Sequence, residues 1–274
     1  MAANNPAALA KEIINYRPWE YYIPAFRVFG NLHFVGNRNA GAWIVDTSAG
    51  PVLFDTSYPT MAHMMIQSIW EAGFDPRKII AIFHSHGHYD HFGTTELIRQ
   101  LSGAKVYLGA ADAKMFRERP ELALIPANSP LGLFVPDVEV NDGDVFTFGD
   151  TAIRCVHTPG HCPGATSYFF PVTDGKQTLT CGLHGGAGMN AFAPAFQEKY
   201  QVNWRQDFFD GIEKVMNEDV DIFIGNHTSQ NQLVDKLPLM TEDYNPFIDK
   251  GAWQAFLLKI KKQLEDIIAA ENQA

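Results

Sequence analysis

The residues able to do chemistry in this chain are crowded into one short run. Ile82-Phe83-His84-Ser85-His86-Gly87-His88-Tyr89-Asp90-His91 holds four of the chain's ten histidines, and an aspartate, within eight residues. Imidazole nitrogens and carboxylate oxygens are ligands for zinc. A solvated loop has no need of that density of histidine, and Gly87 permits a tight turn at its centre. His86, His88, Asp90 and His91 would crowd a single ion. Divided as His86 with His88, and Asp90 with His91, they suit two ions side by side. A catalytic zinc takes three protein ligands and keeps one position open for water, so each pair lacks one ligand. His161, in Thr158-Pro159-Gly160-His161, and His227, in Ile224-Gly225-Asn226-His227, each follow a strand-like segment and can supply it. The predicted sets are therefore His86, His88 and His161, and Asp90, His91 and His227. Zinc lowers the pKa of bound water to about 7, so two such sets imply hydrolysis at neutral pH. Asp90 is placed to orient the water and move a proton as well as to bind metal. His84 points away if its strand continues, and reads as a hydrogen-bonded histidine behind the ligands.

Such a site forms only if several strands end at one edge. Segments 26–36, 42–48, 51–56, 79–83 and 105–109 are short, apolar and bounded by turn residues, and read as strands. Residues 60–72 and 95–102 between them read as helices. The second half repeats the style, with strands at 145–149, 151–158, 166–172, 176–182 and 221–225 and helices at 200–217 and 252–270. This predicts an α/β fold of two β-then-α halves, with two sheets packed together and helices outside. Residues 1–274 read as a single domain, with 1–23 an N-terminal extension packing on it. The Gly- and Ala-rich stretch 185–194 reads as a loop over the site.

Composition narrows the function. Hydrophobic residues make up 46% and charged residues 19%, which excludes a disordered chain. The formal charge of −10 argues against nucleic acid as a partner. Three cysteines without a CxxC pair are no disulfide framework or zinc ribbon. No apolar run reaches the roughly 20 residues of a membrane-spanning helix, so no membrane partner is expected. The N-terminus lacks the basic and apolar regions of a secretory signal. The chain as written is thus expected in the cytoplasm, or outside it if a leader has been removed. No GxSxG elbow or phosphate-binding loop is present.

His86-Gly87-His88-Tyr89-Asp90-His91 resembles the HxHxDH signature of the metallo-β-lactamase superfamily. Val52-Leu53-Phe54-Asp55-Thr56 is similar to that superfamily's strand ending in Asp-Thr, Thr158-Pro159-Gly160-His161 to its TPGH turn, and Asn226-His227 to its last ligand. The resemblance runs from about Phe26 to the final helix and implies a four-layer αββα sandwich with two zinc ions at one edge. It is closest to the third subclass of metallo-β-lactamases, which hold both ions with histidine and aspartate alone. The segment from Ala25 to Leu32, the presence of His86, and Asn245-Pro246-Phe247-Ile248-Asp249 followed by Trp253 carry that likeness. One departure bears on substrate. Superfamily thioesterases, lactonases and phosphodiesterases carry a metal-bridging aspartate where this chain has Leu183, whereas the lactamases lack it.

The resemblance therefore implies a dizinc hydrolase of a small-molecule substrate that opens a β-lactam ring. The alternative is a related dizinc hydrolase of another ester, lactone or thioester. Four residues are expected just behind the ligands or in the pocket. Asp55 would hold a ligand imidazole, or else sit in a strand-end turn. His84 would lie behind the cluster. Cys181 lies near the place where other lactamase subclasses bind zinc through cysteine, a buried structural thiol being the commoner fate. His184 would contact a substrate carboxylate, or else be a loop histidine. His157 is near the ligands in sequence and joins this group.

Overall fold

Twelve strands and nine α-helices make up the computed structural model, which describes residues 6–273. The first sheet is built from β1 (Phe26–Phe29), β2 (Leu32–Phe34), β3 (Trp43–Thr47), β4 (Gly50–Phe54), β5 (Ala81–Phe83), β6 (Lys105–Gly109) and β7 (Val138–Val140), in that spatial order. Its first four strands form an antiparallel meander, and β4 to β7 run parallel. The second sheet holds β8 (Val145–Phe148), β9 (Thr151–His157), β10 (Thr166–Thr173), β11 (Thr178–Leu183) and β12 (Ile222–Ile224), with only the β11–β12 pair parallel. The helices are α1 (Pro6–Tyr16), α2 (Ala62–Glu71), α3 (Tyr89–Phe92), α4 (Thr95–Ser102), α5 (Ala110–Glu118), α6 (Pro194–Tyr200), α7 (Arg205–Val215), α8 (Leu233–Lys236) and α9 (Ala252–Glu271).

Side-chain alternation explains the layers. In β4, Val52 and Phe54 point between the sheets while Leu53 points out to the helices, and all three are buried. A strand covered on both faces must be apolar throughout, which is how these segments read in the sequence. Between the sheets the core is aromatic: Phe54 stacks on Phe170 across the gap at 4.7 Å, and Phe83 on Tyr107 of the neighbouring strand at 4.2 Å. The outer face of the first sheet is covered by Met65 and Ile69 of α2, Ile98 of α4 and Met115 and Phe116 of α5. That of the second is covered by Phe208, Ile212 and Val215 of α7 and by Trp253, Phe256, Leu257, Ile260 and Leu264 of α9. The result is a four-layer αββα sandwich. Among the described residues no helix is long and apolar enough to cross a membrane.

Three local readings need correction. Residues 26–36 are a hairpin and not one strand, because the chain turns at Gly30, where φ is +51°. A side chain there would meet the Thr173 carbonyl oxygen at 2.0 Å. The helix read over 200–217 begins only at Arg205, as α7; Tyr200 instead ends α6, which stops where Gln201 adopts a left-handed conformation. Helix α5, rich in alanine, was not read at all. Of the predicted N-terminal extension, residues 1–5 lie outside the described residues. Ile14 of α1 is buried with Ala40, Tyr58, Met61 and Met64, and its carbonyl accepts a hydrogen bond from Thr60 Oγ1 at 2.7 Å.

Candidate metal centre

All six predicted ligands lie at strand ends on one edge of the sandwich. His86 and His88 follow β5, and Asp90 and His91 ride on the single turn of α3 directly after it. His161 sits in the turn between β9 and β10, and His227 follows β12. The structure gathers them as two triads: His86, His88 and His161, and Asp90, His91 and His227. Within each triad one ligand atom per residue lies within 4.8 Å of the others. The triads adjoin, with the His86 and His91 rings 4.2 Å apart.

Hydrogen bonds fix which nitrogen each ring offers. His86 Nδ1 donates to the Gly185 carbonyl at 2.8 Å, and His161 Nδ1 to the Gly188 carbonyl at 2.8 Å. A carbonyl can only accept, so the lone pair of each ring is on Nε2. His161 Nε2 lies 3.0 Å from His88 Nδ1. His91 Nδ1 donates to Asp55 Oδ2 at 2.9 Å. His227 Nδ1 faces the carbonyl and side-chain oxygens of Asn39, both at 3.2 Å, and its Nε2 is 3.5 Å from Asp90 Oδ2. His86 Nε2 and His91 Nε2 are buried with no hydrogen-bond partner. Orphaned buried nitrogens, on rings whose other nitrogen is already committed, fit a metal ion. The donor sets, three imidazoles in one triad and two imidazoles with a carboxylate in the other, suit zinc.

Electrostatics agrees. Burial pushes His86 and His88 well below the usual histidine pKa, helped by the neighbouring imidazoles, and pushes His161 down to about 4. Neutral imidazole is the ligand form. His91 goes the other way: burial opposes charge, but Asp90 and Asp55 on either side of the ring raise its pKa. Two carboxylates flanking one imidazole ask for positive charge there, which a cation at Nε2 can supply.

The supporting residues are as ordered as the ligands. Asp55 ends β4 with φ +55°, a left-handed conformation that aspartate tolerates better than most residues. Its buried carboxylate thereby accepts from the Ser85 amide at 2.8 Å, the Ser85 hydroxyl at 2.7 Å and His91. His84 Nε2 lies 3.0 Å from Thr95 Oγ1, and its Nδ1 is 3.6 Å from Asp55, so the ring faces α4 and not the triads. Cys181 takes the buried structural place that was its commoner expected fate, and the placement of His184 is a correction. Cys181 is paired opposite Phe170 and Ile222 and belongs to the core between the sheets, because its register points it there. His184 is buried against Trp253 and Phe256 beneath the loop that follows it, and burial pushes its pKa down to about 3. It is neither in the pocket nor charged. His157 also turns away, with Nε2 3.0 Å from the Val140 carbonyl.

Several residues had no reading in the sequence. Asp112 of α5 is fully buried, and its carboxylate accepts from the Gly87 amide at 2.7 Å, the Gly164 amide at 2.6 Å and the Cys162 thiol at 3.1 Å. It clasps the loop carrying His86 and His88 to the turn carrying His161. Asn226 Nδ2 donates to the Gly185 carbonyl at 3.1 Å and to Ser85 Oγ at 3.2 Å. In the Gly185–Gly188 loop, a Cβ at Gly186 would lie 2.7 Å from the His161 ring and one at Gly188 2.6 Å from it. The glycine-rich run beside a histidine cluster was the one available signal for that close approach.

The triads floor a cavity of about 560 Å³ lined by Asn15, His88, Asp90, His161, Asn190 and His227. It adjoins an apolar cavity of about 310 Å³ bounded by Tyr16, Tyr58, Tyr89 and Pro126.

Known proteins are similar to this chain in sequence and in fold. A family model described as the metallo-beta-lactamase superfamily matches residues 35–174, just over half of the chain. A metallo-beta-lactamase structure from Cronobacter sakazakii (Enterobacter sakazakii) is 26% identical, covering 94% of this chain and 99% of that one with a TM-score of 0.83. BJP-1, a subclass B3 metallo-beta-lactamase of Bradyrhizobium japonicum, is 24% identical over 93% of this chain and 97% of its own, with a TM-score of 0.79, a likeness of fold. Among curated proteins, a hydroxyacylglutathione hydrolase of Maricaulis maris (strain MCS10) is 34% identical over 111 residues, 40% of this chain and 36% of that protein. A probable polyketide biosynthesis zinc-dependent hydrolase, BaeB, of Bacillus velezensis (strain DSM 23117 / BGSC 10A6 / LMG 26770 / FZB42) is 31% identical over 117 residues, 40% of this chain and 45% of that protein. The chain spans less than half the length of the curated relatives it matches.

Proposed function

The chain belongs to the metallo-beta-lactamase superfamily, and we propose that it is a dizinc hydrolase that opens the ring of a β-lactam. His86, His88 and His161 would hold one ion and Asp90, His91 and His227 the other. Zinc there would supply a Lewis acid for the scissile carbonyl and a nucleophilic water at neutral pH. The remaining work falls to this chain's own side chains. Asp90, at the cavity wall, accepts a proton from the attacking water and returns it to the departing nitrogen. Asp55, Asn39 and the carbonyls of Gly185 and Gly188 keep four imidazoles in the tautomer and orientation that binding requires. The apolar cavity beside Tyr89 gives room for a substituent on the acyl side.

The observation that carries the β-lactam reading is the donor set itself. Two triads of histidine and aspartate stand without a bridging carboxylate, and Leu183, which occupies its place in the sequence, is buried in the core between the sheets. The likeness to the Cronobacter enzyme supports the same reading. A second reading, thioester hydrolysis, is favoured by the hydroxyacylglutathione hydrolases among the relatives. The test is metal content together with turnover of a chromogenic cephalosporin and of S-lactoylglutathione, repeated on His88→Ala. Two zinc ions per chain and cephalosporin turnover lost in the variant are expected. Turnover of the thioester alone overturns the β-lactam reading, and full activity in His88→Ala overturns the site.

A further inference from the structure

Gly188 and His227, which line the cavity over the triads, also line a neighbouring hollow of about 200 Å³ that includes Ser229, Gln230, Phe256, Lys259 and Gln263. That hollow shares Gln230, Phe256 and Lys259 with another of about 410 Å³ reaching Lys236 and Asp249. The groove's wall is α9. Phe256, Lys259, Ile260 and Gln263 recur at the helical spacing that puts them on one face. Phe256 and Ile260 are buried against the second sheet, which leaves Lys259 exposed at the lip.

Charge distinguishes this lysine. Among the residues lining the metal-centre cavity and the groove, the only lysines or arginines are Lys236 and Lys259. Lys236 is paired with Asp249 at 3.4 Å, while Lys259 makes no ion pair among the described residues. The apolar cavity on the other side of the triads has no cation in its lining. The loop over the site, Gly185–Gly188, carries no hydroxyl or positive side chain, and His184 is buried away from the cavity. An anionic group on a bound substrate therefore meets one unpaired cation, and it lies on α9.

We propose that Lys259 docks a carboxylate of the substrate, carried on the part of the molecule that leaves the metal centre past His227. The substrate class is then an anionic acyl compound lying across the triads, with its acyl substituent toward Tyr89 and its carboxylate over α9. This deepens the hydrolase reading and rests on it, but it does not depend on which acyl bond is cut.

The experiment compares a chromogenic cephalosporin carrying its free carboxylate with the methyl ester of the same compound, on the zinc-loaded protein. A tenfold change in binding corresponds to about 1.4 kcal/mol. Lys259→Ala is expected to raise KM for the carboxylate about tenfold with kcat unchanged, and to leave KM for the ester alone. Lys259→Arg restores the wild-type preference and Lys259→Glu reverses it. If neither cephalosporin is turned over, the β-lactam reading fails. The same comparison is then made between S-lactoylglutathione and the neutral lactoyl thioester of N-acetylcysteamine. A third readout needs no turnover: calorimetric titration of the zinc-loaded protein with the ring-opened cephalosporin, whose affinity should fall about tenfold in Lys259→Ala. Equal KM ratios and equal product affinity in wild type and Lys259→Ala would overturn the proposal.

Discussion

The two triads differ in what they are made of and in what holds them. In the first, His86, His88 and His161 are 1–5% exposed, all donors are imidazoles, and two rings are tied to backbone carbonyls of one glycine loop. In the second, the side chains of Asp90 and His227 are 17% and 28% exposed, one donor is a carboxylate, and the partners are the side chain of Asp55 and the backbone and side chain of Asn39. Both triads face the cavity, but one is more deeply buried and set in backbone, while the other is set largely in side chains and more open to it. A deeply buried set of neutral ligands favours holding an ion, and a more open set containing a carboxylate favours proton movement. The pair divides those tasks between neighbours that share a wall of rings.

That division can be broken at either end. The largest effect is expected at Asp90. Asp90→Asn should lower turnover by about 10²–10⁴-fold, the range for a lost general acid–base group, while the first triad keeps its zinc. Steady-state rates with metal analysis check this, and an equal loss of both ions would erase the distinction between the triads. Gly188→Ala comes next, because its Cβ would lie 2.6 Å from His161 Cε1. A displaced ligand should weaken the first ion's affinity about 10–100-fold, read by zinc competition with a chelator, and leave the second unchanged. Asp112→Ala strips two buried amides of their acceptor. At about 1–3 kcal/mol for each unsatisfied group, a loss of about 2–6 kcal/mol in urea unfolding is expected, with weaker binding at the first triad only. The smallest change is Asn39→Ala, which removes one of two acceptors facing His227 Nδ1. About a tenfold loss of affinity, confined to the second ion, should result.

The sequence displayed the ligands better than their supports, and for a physical reason. His86, His88, Asp90 and His91 are adjacent in the chain because a loop and one helical turn after a single strand can present them all. Their donor atoms are chemically distinctive, and the apolar runs before His86 and His227 announced the strands that carry them. Asp112, Asn226 and Asn39 act through hydrogen bonds to backbone or to a ring nitrogen, which any short polar side chain in the right place could make. Nothing in their local sequence marks that place. His184 misleads for the opposite reason. Its imidazole suggested a substrate contact, but the turn after β11 buries it against α9, while the register of β11 puts Cys181 between the sheets. The turn at Gly30 and the break at Gln201 were missed because both depend on left-handed backbone that apolar periodicity does not record.

Each triad draws on both halves of the chain, which gives the protein a history in time. His86 and His88 leave the ribosome long before His161, and His227 follows His86 by 141 residues. At about 5–20 residues per second, that interval is roughly 7–28 s. Until His161 is made, 75 residues after His86, the nascent chain carries a histidine-rich segment with no complete triad, and the second triad waits for His227. Capture of an ion by these triads would thus be a late event in biosynthesis, open to the nearly finished fold and not to the growing chain.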